Sequence, residues 1–400
     1  MIDNEELQNI LAKDEARLYF IGIGGIAMSA AAGIAADSGF IVLGSDSAEI
    51  YSPARDVLDK FGIEYFKGYK KEQAESSGAD LFILSAGEDL QNPEVDFVIK
   101  NNLHRAGFPQ LIYELTKDKL RMVVTGTHGK STTTGLLGHI FRNLDDSSFL
   151  AGAVLQNYGT NFHSGVGNYF IVEGDEYKTQ FDDPAPKFHY YNPDILVLTN
   201  LEFDHPDLFP DFQSLENEFR HLIANLPEDG LIVYNADDAN LSRLVHESNV
   251  SNVSFAMDNE ADFKVEQVQY GPEFTSVEIS NKFSKNISSK LLSRTEEYKI
   301  QLPGKINVYN SLAVIALLRS LGFSQEQIAL DVLSFTGVKR RFEIVGVKNG
   351  VTLVDDYAHH PTAVKQTLEA ARLKFFLVQP PTSTLERPLP CPEHSRRALP

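Results

Sequence analysis

The sequence predicts an α/β protein: a Rossmann-like N-terminal domain, a central phosphate-loop α/β domain carrying added antiparallel strands, and a truncated third α/β domain. Three observations predict it. An apolar run, Leu18 to Ile21, meets a glycine turn and then an Ala-rich helical stretch. A second apolar run, Met122-Val123-Val124, meets the loop Thr125 to Thr132, then a helix in which Leu136, Leu137, Ile140, Phe141 and Leu144 share one face. Between about 263 and 302 the pattern changes to alternation, as in Phe263/Val265 and Val277/Ile279, the period of antiparallel strands.

Along the chain, the first domain is expected over 1–118. Its strand Leu18–Ile21 is followed by strands at Phe40–Leu43, leading to Gly44-Ser45-Asp46, and at Leu81–Leu84, ending at Ser85-Ala86-Gly87. Strands that alternate with helices and end in small polar residues indicate a parallel sheet with ligands at its carboxyl ends. The central domain, 119–341, adds strands at Tyr169–Val172, Ile195–Thr199 and Leu231–Tyr234. Pro303-Gly304 is a turn signal, and a helix follows from about Asn307 to Leu321, stopping near Gly322. The third domain is expected to begin over 342–374, with strands Ile344–Val347 and Val351–Val354, the run Asp355 to Pro361, and a helix from Thr362 to Lys374. Residues 375–400 hold six of the chain's 18 prolines and no periodic pattern, so they read as an aberrant or disordered tail.

Composition excludes several classes. The net charge is −19, from 36 basic and 55 acidic residues, and no Lys/Arg cluster offers a nucleic-acid track. An anionic ligand must be bound by local devices rather than by a global field. The single cysteine, Cys391, rules out an intramolecular disulfide framework and a cysteine zinc site. Met1 to Arg17 lacks the order of a signal peptide, and the uncharged stretch Leu18 to Ala36 is interrupted by a glycine turn, so neither export nor a membrane span is expected. A cytoplasmic enzyme or binding protein is the expectation; the oligomeric state is left open.

The loop Thr125-Gly126-Thr127-His128-Gly129-Lys130-Ser131-Thr132, between strand and helix, is suited to a nucleoside triphosphate. Backbone N–H groups and the helix N-terminus converge on one spot. Gly126 and Gly129 allow close approach to phosphates, Lys130 reaches their oxygens, and the Ser131 hydroxyl can ligate Mg²⁺. Glu173-Gly174-Asp175-Glu176 ends one strand and Asn200 to His205 ends the next, so Ser131, Glu173 and His205 are expected together as a metal site. The turn Gly22-x-Gly24-Gly25-x-Ala27 fits a dinucleotide fingerprint, with Asp46 at a plausible distance for a ribose contact. Alone it would suggest a redox cofactor; the second loop shifts the expected ligand to another diphosphate. Asn307 and Asn310 stand where Asn caps helices, which leaves one of them free for a base. Arg340-Arg341 can neutralise phosphate oxygens or pair with surface carboxylates. His359-His360 after Asp355-Asp356 resembles a metal pair, but nothing else nearby in the sequence has ligand spacing.

Together these runs resemble the Mur ligase family, ATP-dependent amide ligases of bacterial cell-wall precursor synthesis, over roughly residues 17 to 374. The glycine motif Gly22 to Ser29 is similar to that of the branch acting on UDP-N-acetylmuramate. That branch adds either L-alanine or a recycled tripeptide, L-alanyl-γ-D-glutamyl-meso-diaminopimelate. Glu173 to Tyr177, Pro186 to Tyr190 and Asn200 to His205 look more like the tripeptide-recycling members; alanine-adding members usually carry Ser and Met where Tyr177 and Pro206 stand. Some members use a carbamylated lysine soon after the Asp-His pair, but between Pro206 and Asp229 this chain has no Lys. The resemblance implies ATP and Mg²⁺ as cofactors, with UDP-N-acetylmuramate and a peptide or amino-acid amine as substrates. It implies catalytic roles for Lys130, Glu173, His205 and His359. Gly126, Thr127, His128, Gly129, Lys130, Ser131, Thr132, Asn307, Asn310, Arg341 and Asp356 would bind ATP. Gly22, Gly24, Gly25, Met28, Ser29, Asp46 and Ser85 would bind the UDP-sugar, and Ser131, Glu173 and His205 the metal. Because only the first ~30 residues of the third domain look genuine, short of the ~100 of a typical domain, weak or absent ligation by an inactive nucleotide-binding remnant is the other expectation.

Overall fold

The computed structural model describes residues 2–282 and 294–376. The Pro-rich segment and Cys391 lie outside the described residues, apart from Phe375 and Phe376, which extend the last helix, Pro361–Phe376, beyond its expected end.

The first sheet contains β1 (Arg17–Ile21), β2 (Ile41–Asp46), β3 (Glu64–Lys67), β4 (Leu81–Leu84) and β5 (Arg105–Gly107). Its order is β3-β2-β1-β4-β5 and every pairing is parallel, as expected of a Rossmann-like sheet. β1 and β4 are buried throughout from Leu18 to Ile21 and Leu81 to Leu84, which is why they read as unbroken apolar runs. A helix that the sequence reading left unassigned, Asn4–Leu11, precedes β1; Asp3 caps it by accepting the Glu6 N–H at 2.8 Å, and Leu7 and Ile10 are buried.

The central part contains β6 (Leu120–Thr125), β7 (Ser148–Leu155), β8 (Thr160–His163), β9 (Tyr169–Glu173), the small hairpin β10 (Lys178–Gln180) and β11 (Asp183–Pro186), then β12 (Ile195–Leu198), β13 (Leu231–Asn235), β14 (Ser251–Ala256), β15 (Phe263–Tyr270), β16 (Thr275–Asn281) and β17 (Arg294–Ile300). All but the hairpin join one sheet, in the order β17-β16-β15-β14-β13-β12-β6-β9-β7-β8. Every pairing from β15 across to β7 is parallel. β15, β16 and β17 pair antiparallel and continue this sheet, so the alternating region extends the α/β core rather than forming a separate unit.

The strand pleat sorts residues between two cores. Met122 and Val124 of β6 pack with the helices Lys130–Asp145 and Lys305–Ser320, whereas Val123 faces the other way. That other face is continuous with the core of the first domain. Phe162 of β8 seats against Gly33 of the helix Ile26–Asp37, where a Cβ would lie 2.7 Å from the Phe162 ring. The third part comprises the antiparallel pair β18 (Glu343–Lys348) and β19 (Val351–Asp355) with the helix Pro361–Phe376, which packs on Gly304 through Ala370. Among the described residues no helix is long and apolar enough to cross a membrane.

Candidate active site

The order β12-β6-β9 places three carboxyl ends side by side. β6 runs into the phosphate loop, β9 into Glu173 to Tyr177, and β12 into Asn200 to His205. The loop is tied to the β12 end: the Thr127 N–H donates to the Asn200 carbonyl (3.1 Å) and the His128 N–H to Asn200 Oδ1 (2.8 Å). The Thr127 hydroxyl donates to the Glu202 carbonyl (3.0 Å) and accepts the Glu202 N–H (2.9 Å). Gly126 and Gly129 have φ of +132° and +84°, and a Cβ on them would stand 2.2 Å from Thr199 Oγ1 and 2.3 Å from Asn310 Oδ1. Glycine is therefore demanded by neighbouring protein atoms as well as by phosphate approach.

Lys130 opens the helix Lys130–Asp145, and Thr132 is buried in its first turn. Lys130 Nζ lies 2.8 and 2.9 Å from the two Glu176 oxygens and 2.7 Å from the Gly126 carbonyl. The Ser131 hydroxyl donates to Glu173 Oε1 at 2.9 Å, and Glu173 Oε2 accepts the Gly152 N–H at 2.6 Å. His205 Nε2 is 3.2 Å from Glu176 Oε1, and its ring meets Tyr177 edge-on at 4.5 Å. The backbone of His205 sits at φ +59°, a costly conformation for histidine that aims its ring into the cluster. Lys130, Ser131, Glu173 and His205 thus meet in one place. Glu176, absent from the expected site, is the hub between Lys130 and His205; its signal was its position three residues after Glu173 in the same acidic turn.

Charge explains the cluster's protonation. Burial works against the Lys130 ammonium, but the Glu176, Asp175 and Glu173 carboxylates hold it above its ordinary range. Burial pushes the Glu173 carboxyl up, against Lys130 and the Gly152 N–H. The Glu176 hydrogen bond holds His205 up despite burial. Asp175 is also buried, yet Lys187 at 2.7 Å and Lys130 hold it down. Several carboxylates around a buried ammonium form a site that a divalent cation and a polyanion can share.

Beside it lies a pocket of about 180 Å³ lined by Asn200, Asp237, Phe255, Tyr309, Asn310 and Gln366. Of the two expected base-binding asparagines, Asn310 faces this pocket. Asn307 turns back, its amide donating to the Pro303 carbonyl (2.8 Å) and its Oδ1 accepting from Asn310 (3.1 Å). Neither is the helix cap, which is Gly304.

The third part rearranges the expected roles. Asp356 accepts the Phe342 and Ala358 N–H groups, both at 2.8 Å, and the Arg341 guanidinium lies 5.4 Å from the centre of the Tyr357 ring, so both order their own turn. His359 is exposed, with Nδ1 3.0 Å from the Tyr357 carbonyl, and is not brought to the Lys130 cluster. Its neighbour His360 is the one that reaches the phosphate loop, with ring centres 4.8 Å from His128. Of the pair, only His360 therefore finds partners that come from far along the chain.

In the first domain, Gly22 (φ +82°) and Ile23 donate their N–H groups to the Ser45 carbonyl at 2.9 and 3.0 Å. The Gly24 N–H donates to Asp46 Oδ2 at 2.8 Å, so Asp46 closes the glycine turn itself instead of standing free for a ribose. Gly25 precedes the helix Ile26–Asp37 without a side-chain cap, so no side chain takes its first N–H groups. Ser85 packs against Gly22. Met28 and Ser29 are buried, and the Ser29 hydroxyl bonds the Ile26 carbonyl at 3.3 Å, so they build the helix start. Asn161 of β8 also reaches that carbonyl (3.3 Å), a contribution from the second domain that only the fold reveals.

Known families match this chain in three consecutive parts: the Mur ligase family catalytic domain over 17–119, the Mur ligase middle domain over 124–318, and the Mur ligase glutamate ligase domain over 340–378. A UDP-N-acetylmuramate–L-alanine ligase of Clostridium acetobutylicum is 35% identical over 370 residues, 92% of this chain and 76% of the relative. The chain belongs to the Mur ligase family. The UDP-N-acetylmuramate–L-alanyl-γ-D-glutamyl-meso-2,6-diaminoheptandioate ligase of Escherichia coli is 34% identical over 362 residues, covering 90% of this chain and 76% of the relative. The crystal structure of the corresponding Neisseria ligase superposes with a TM-score of 0.72 at 29% identity, over 81% of this chain and 99% of that one. The UDP-N-acetylmuramate–alanine ligase of Thermotoga maritima superposes with a TM-score of 0.75 at 26% identity, over 90% of this chain and 78% of that one.

Mur ligases are ATP-dependent amide ligases, and Mg²⁺ is usual for them. The residues present fit both. The first turn of the helix Lys130–Asp145 has no side-chain cap, so its N–H groups suit phosphate oxygens. Thr125 Oγ1, at the entrance to the loop, is buried with no hydrogen-bond partner. Ser131 and Glu173 offer the hard oxygen donors that Mg²⁺ prefers.

Proposed function

We propose that the chain joins the lactyl carboxylate of UDP-N-acetylmuramate to the amine of a recycled cell-wall tripeptide, with ATP converted to ADP and phosphate. The observation that carries this reading is the meeting of Lys130, Ser131, Glu173, Glu176 and His205 where β6, β9 and β12 end. The lactyl carboxylate attacks the γ-phosphate to give an acyl phosphate, and the amine then attacks its carbonyl and expels phosphate. Bringing two anions together is the main difficulty, so charge neutralisation is the main demand. Phosphate oxygens replace Glu176 at the Lys130 ammonium and take the free N–H groups of the loop. Ser131 and Glu173, with His205, would hold Mg²⁺, which would supply further positive charge. Asn310 borders the base, and the uncapped turn at Gly22 to Gly25 takes the UDP diphosphate. Arg341 and Asp356 reach ATP only if the third part shifts from the arrangement described above.

The choice of tripeptide rests on Pro186 to Tyr190 and Tyr177. Phe188 is fully buried and anchors the segment, while His189 pairs with Glu218 (2.7 Å) and Tyr190 with Asp183 (2.5 Å). These pairs wall an open cleft of about 660 Å³ that also borders Leu208, Phe209 and Pro210, soon after His205. Such a cleft has room for a peptide and lines it with imidazole, carboxylate and phenol groups that can hydrogen-bond a polar end. The test is phosphate release with UDP-N-acetylmuramate, ATP and Mg²⁺, with tripeptide or L-alanine in turn. Release with tripeptide is expected; release with alanine alone would assign the chain to the alanine-adding branch, and release with neither would support a nucleotide-binding remnant.

A further inference from the structure

We propose that His128, Glu202 and His360 form a binding site for a transition-metal ion of the zinc class, separate from the Mg²⁺ ligands and joining the phosphate loop to the third part of the chain. One ligand atom from each of these residues lies within 4.8 Å of the others. His128 Nε2 is 3.4 Å and His360 Nδ1 3.7 Å from the same oxygen, Glu202 Oε2. With zinc–ligand bonds of about 2.0–2.1 Å, the edges of a tetrahedron are about 3.4 Å. Both edges that meet at Glu202 are therefore close to the spacing that an ion would impose, and the His128–His360 edge lies within 4.8 Å.

The donor set selects the ion. Two imidazole nitrogens and one carboxylate oxygen suit zinc and its neighbours, whereas Mg²⁺ prefers oxygen throughout. The supporting contacts also have the form of a metal site. The Thr362 hydroxyl donates to Glu202 Oε2 at 2.8 Å, orienting the carboxylate. The Thr362 N–H donates to His360 Nδ1 at 3.3 Å, so this nitrogen carries no proton, and an ion would take its lone pair by displacing that long bond. Burial keeps the His128 imidazole towards its neutral form, with Glu202 opposing, and neutral imidazole is the ligating form. The side chains of His128, Glu202 and His360 are 10%, 40% and 20% exposed, leaving a solvent path to the fourth position. An ion held there would fasten the loop of Lys130 to the helix Pro361–Phe376.

The test is Zn²⁺ binding to the EDTA-treated chain without nucleotide, measured by competition with a chromophoric chelator. It is run in a Cys391→Ser background, which removes the only thiol. A zinc site is expected that His360→Ala and Glu202→Gln each weaken at least about tenfold, while His205→Ala, which alters the Mg²⁺ cluster, leaves it unchanged. Co²⁺ bound in place of Zn²⁺ is expected to show visible absorption bands that disappear in His360→Ala. Equal affinity in all variants, no zinc binding, or comparable loss in His205→Ala would overturn the proposal. Because no nucleotide or amine is present, failure here is distinct from failure of the ligase reading.

Discussion

Lys130 carries two loads, and they can be separated. It is the phosphate-loop cation, and it also neutralises Glu176, whose side chain is only 3% exposed. Replacing Lys130 with Ala should reduce ATP turnover at least about a hundredfold and should also destabilise the fold, because the buried Glu176 carboxylate loses the closer of its two partners and keeps only His205. The double variant Lys130→Ala/Glu176→Gln should recover most of that stability in chemical denaturation yet remain inactive. Recovery of activity would show that the lysine serves only to neutralise Glu176. Lys130, Ser131, Glu173 and His205 were readable because their types and strand-end positions are local signals. Glu176 lay in the same run, but nothing in the sequence says which carboxylate of an acidic turn points to the lysine. His359 and His360 illustrate the same limit: adjacent residues leave a turn in different directions, and only the turn's geometry decides that His360 faces the loop.

Elements are held together by polar pairs as well as by apolar faces. Glu216, on the helix Phe212–Ala224, binds Arg243 of the helix Ala239–His246 and also Arg220, and these hydrogen bonds hold its carboxyl down to about 2 from 4.5. A depressed carboxylate stabilises the fold above its unfolded pKa and loses that contribution as pH falls through the folded one. Glu216→Gln should therefore lower the urea midpoint at pH 7, with the gap to the parent narrowing as pH falls from 4.5 towards 2. A gap that does not depend on pH would mean that packing, not charge, is what the variant disturbs. Among elements, the buried parallel strands were the most legible, since β1, β4, β6 and β12 each carry an unbroken apolar run of three or four residues. The hairpin β10–β11 and the helix Asn4–Leu11 were not, being too short for periodicity to stand out. The alternation of β15 to β17 revealed strand type but not that these strands extend the central sheet, which depends on the parallel pairing of β15 with β14 through only two residue pairs.

At the scale of the molecule, the first two domains share one continuous core, and Gly33 marks where they touch. Gly33→Val should cost about 1–3 kcal/mol through overpacking against Phe162 and Val57. It should weaken UDP-N-acetylmuramate binding as the glycine turn at the start of the same helix shifts relative to Asn161; unchanged calorimetric affinity would separate the two domains functionally. No periodic pattern carries this coupling, because it depends on the fit of one aromatic ring to one bare helix position. The central claim is that a triphosphate and its Mg²⁺ are gripped where β6, β9 and β12 end. Its most direct test is a crystal structure with Mg²⁺ and a non-hydrolysable ATP analogue. The terminal phosphate is expected on Lys130 Nζ in place of Glu176, with the ion held by Ser131 Oγ and Glu173; a nucleotide bound elsewhere while Lys130 keeps its contact with Glu176 would contradict this.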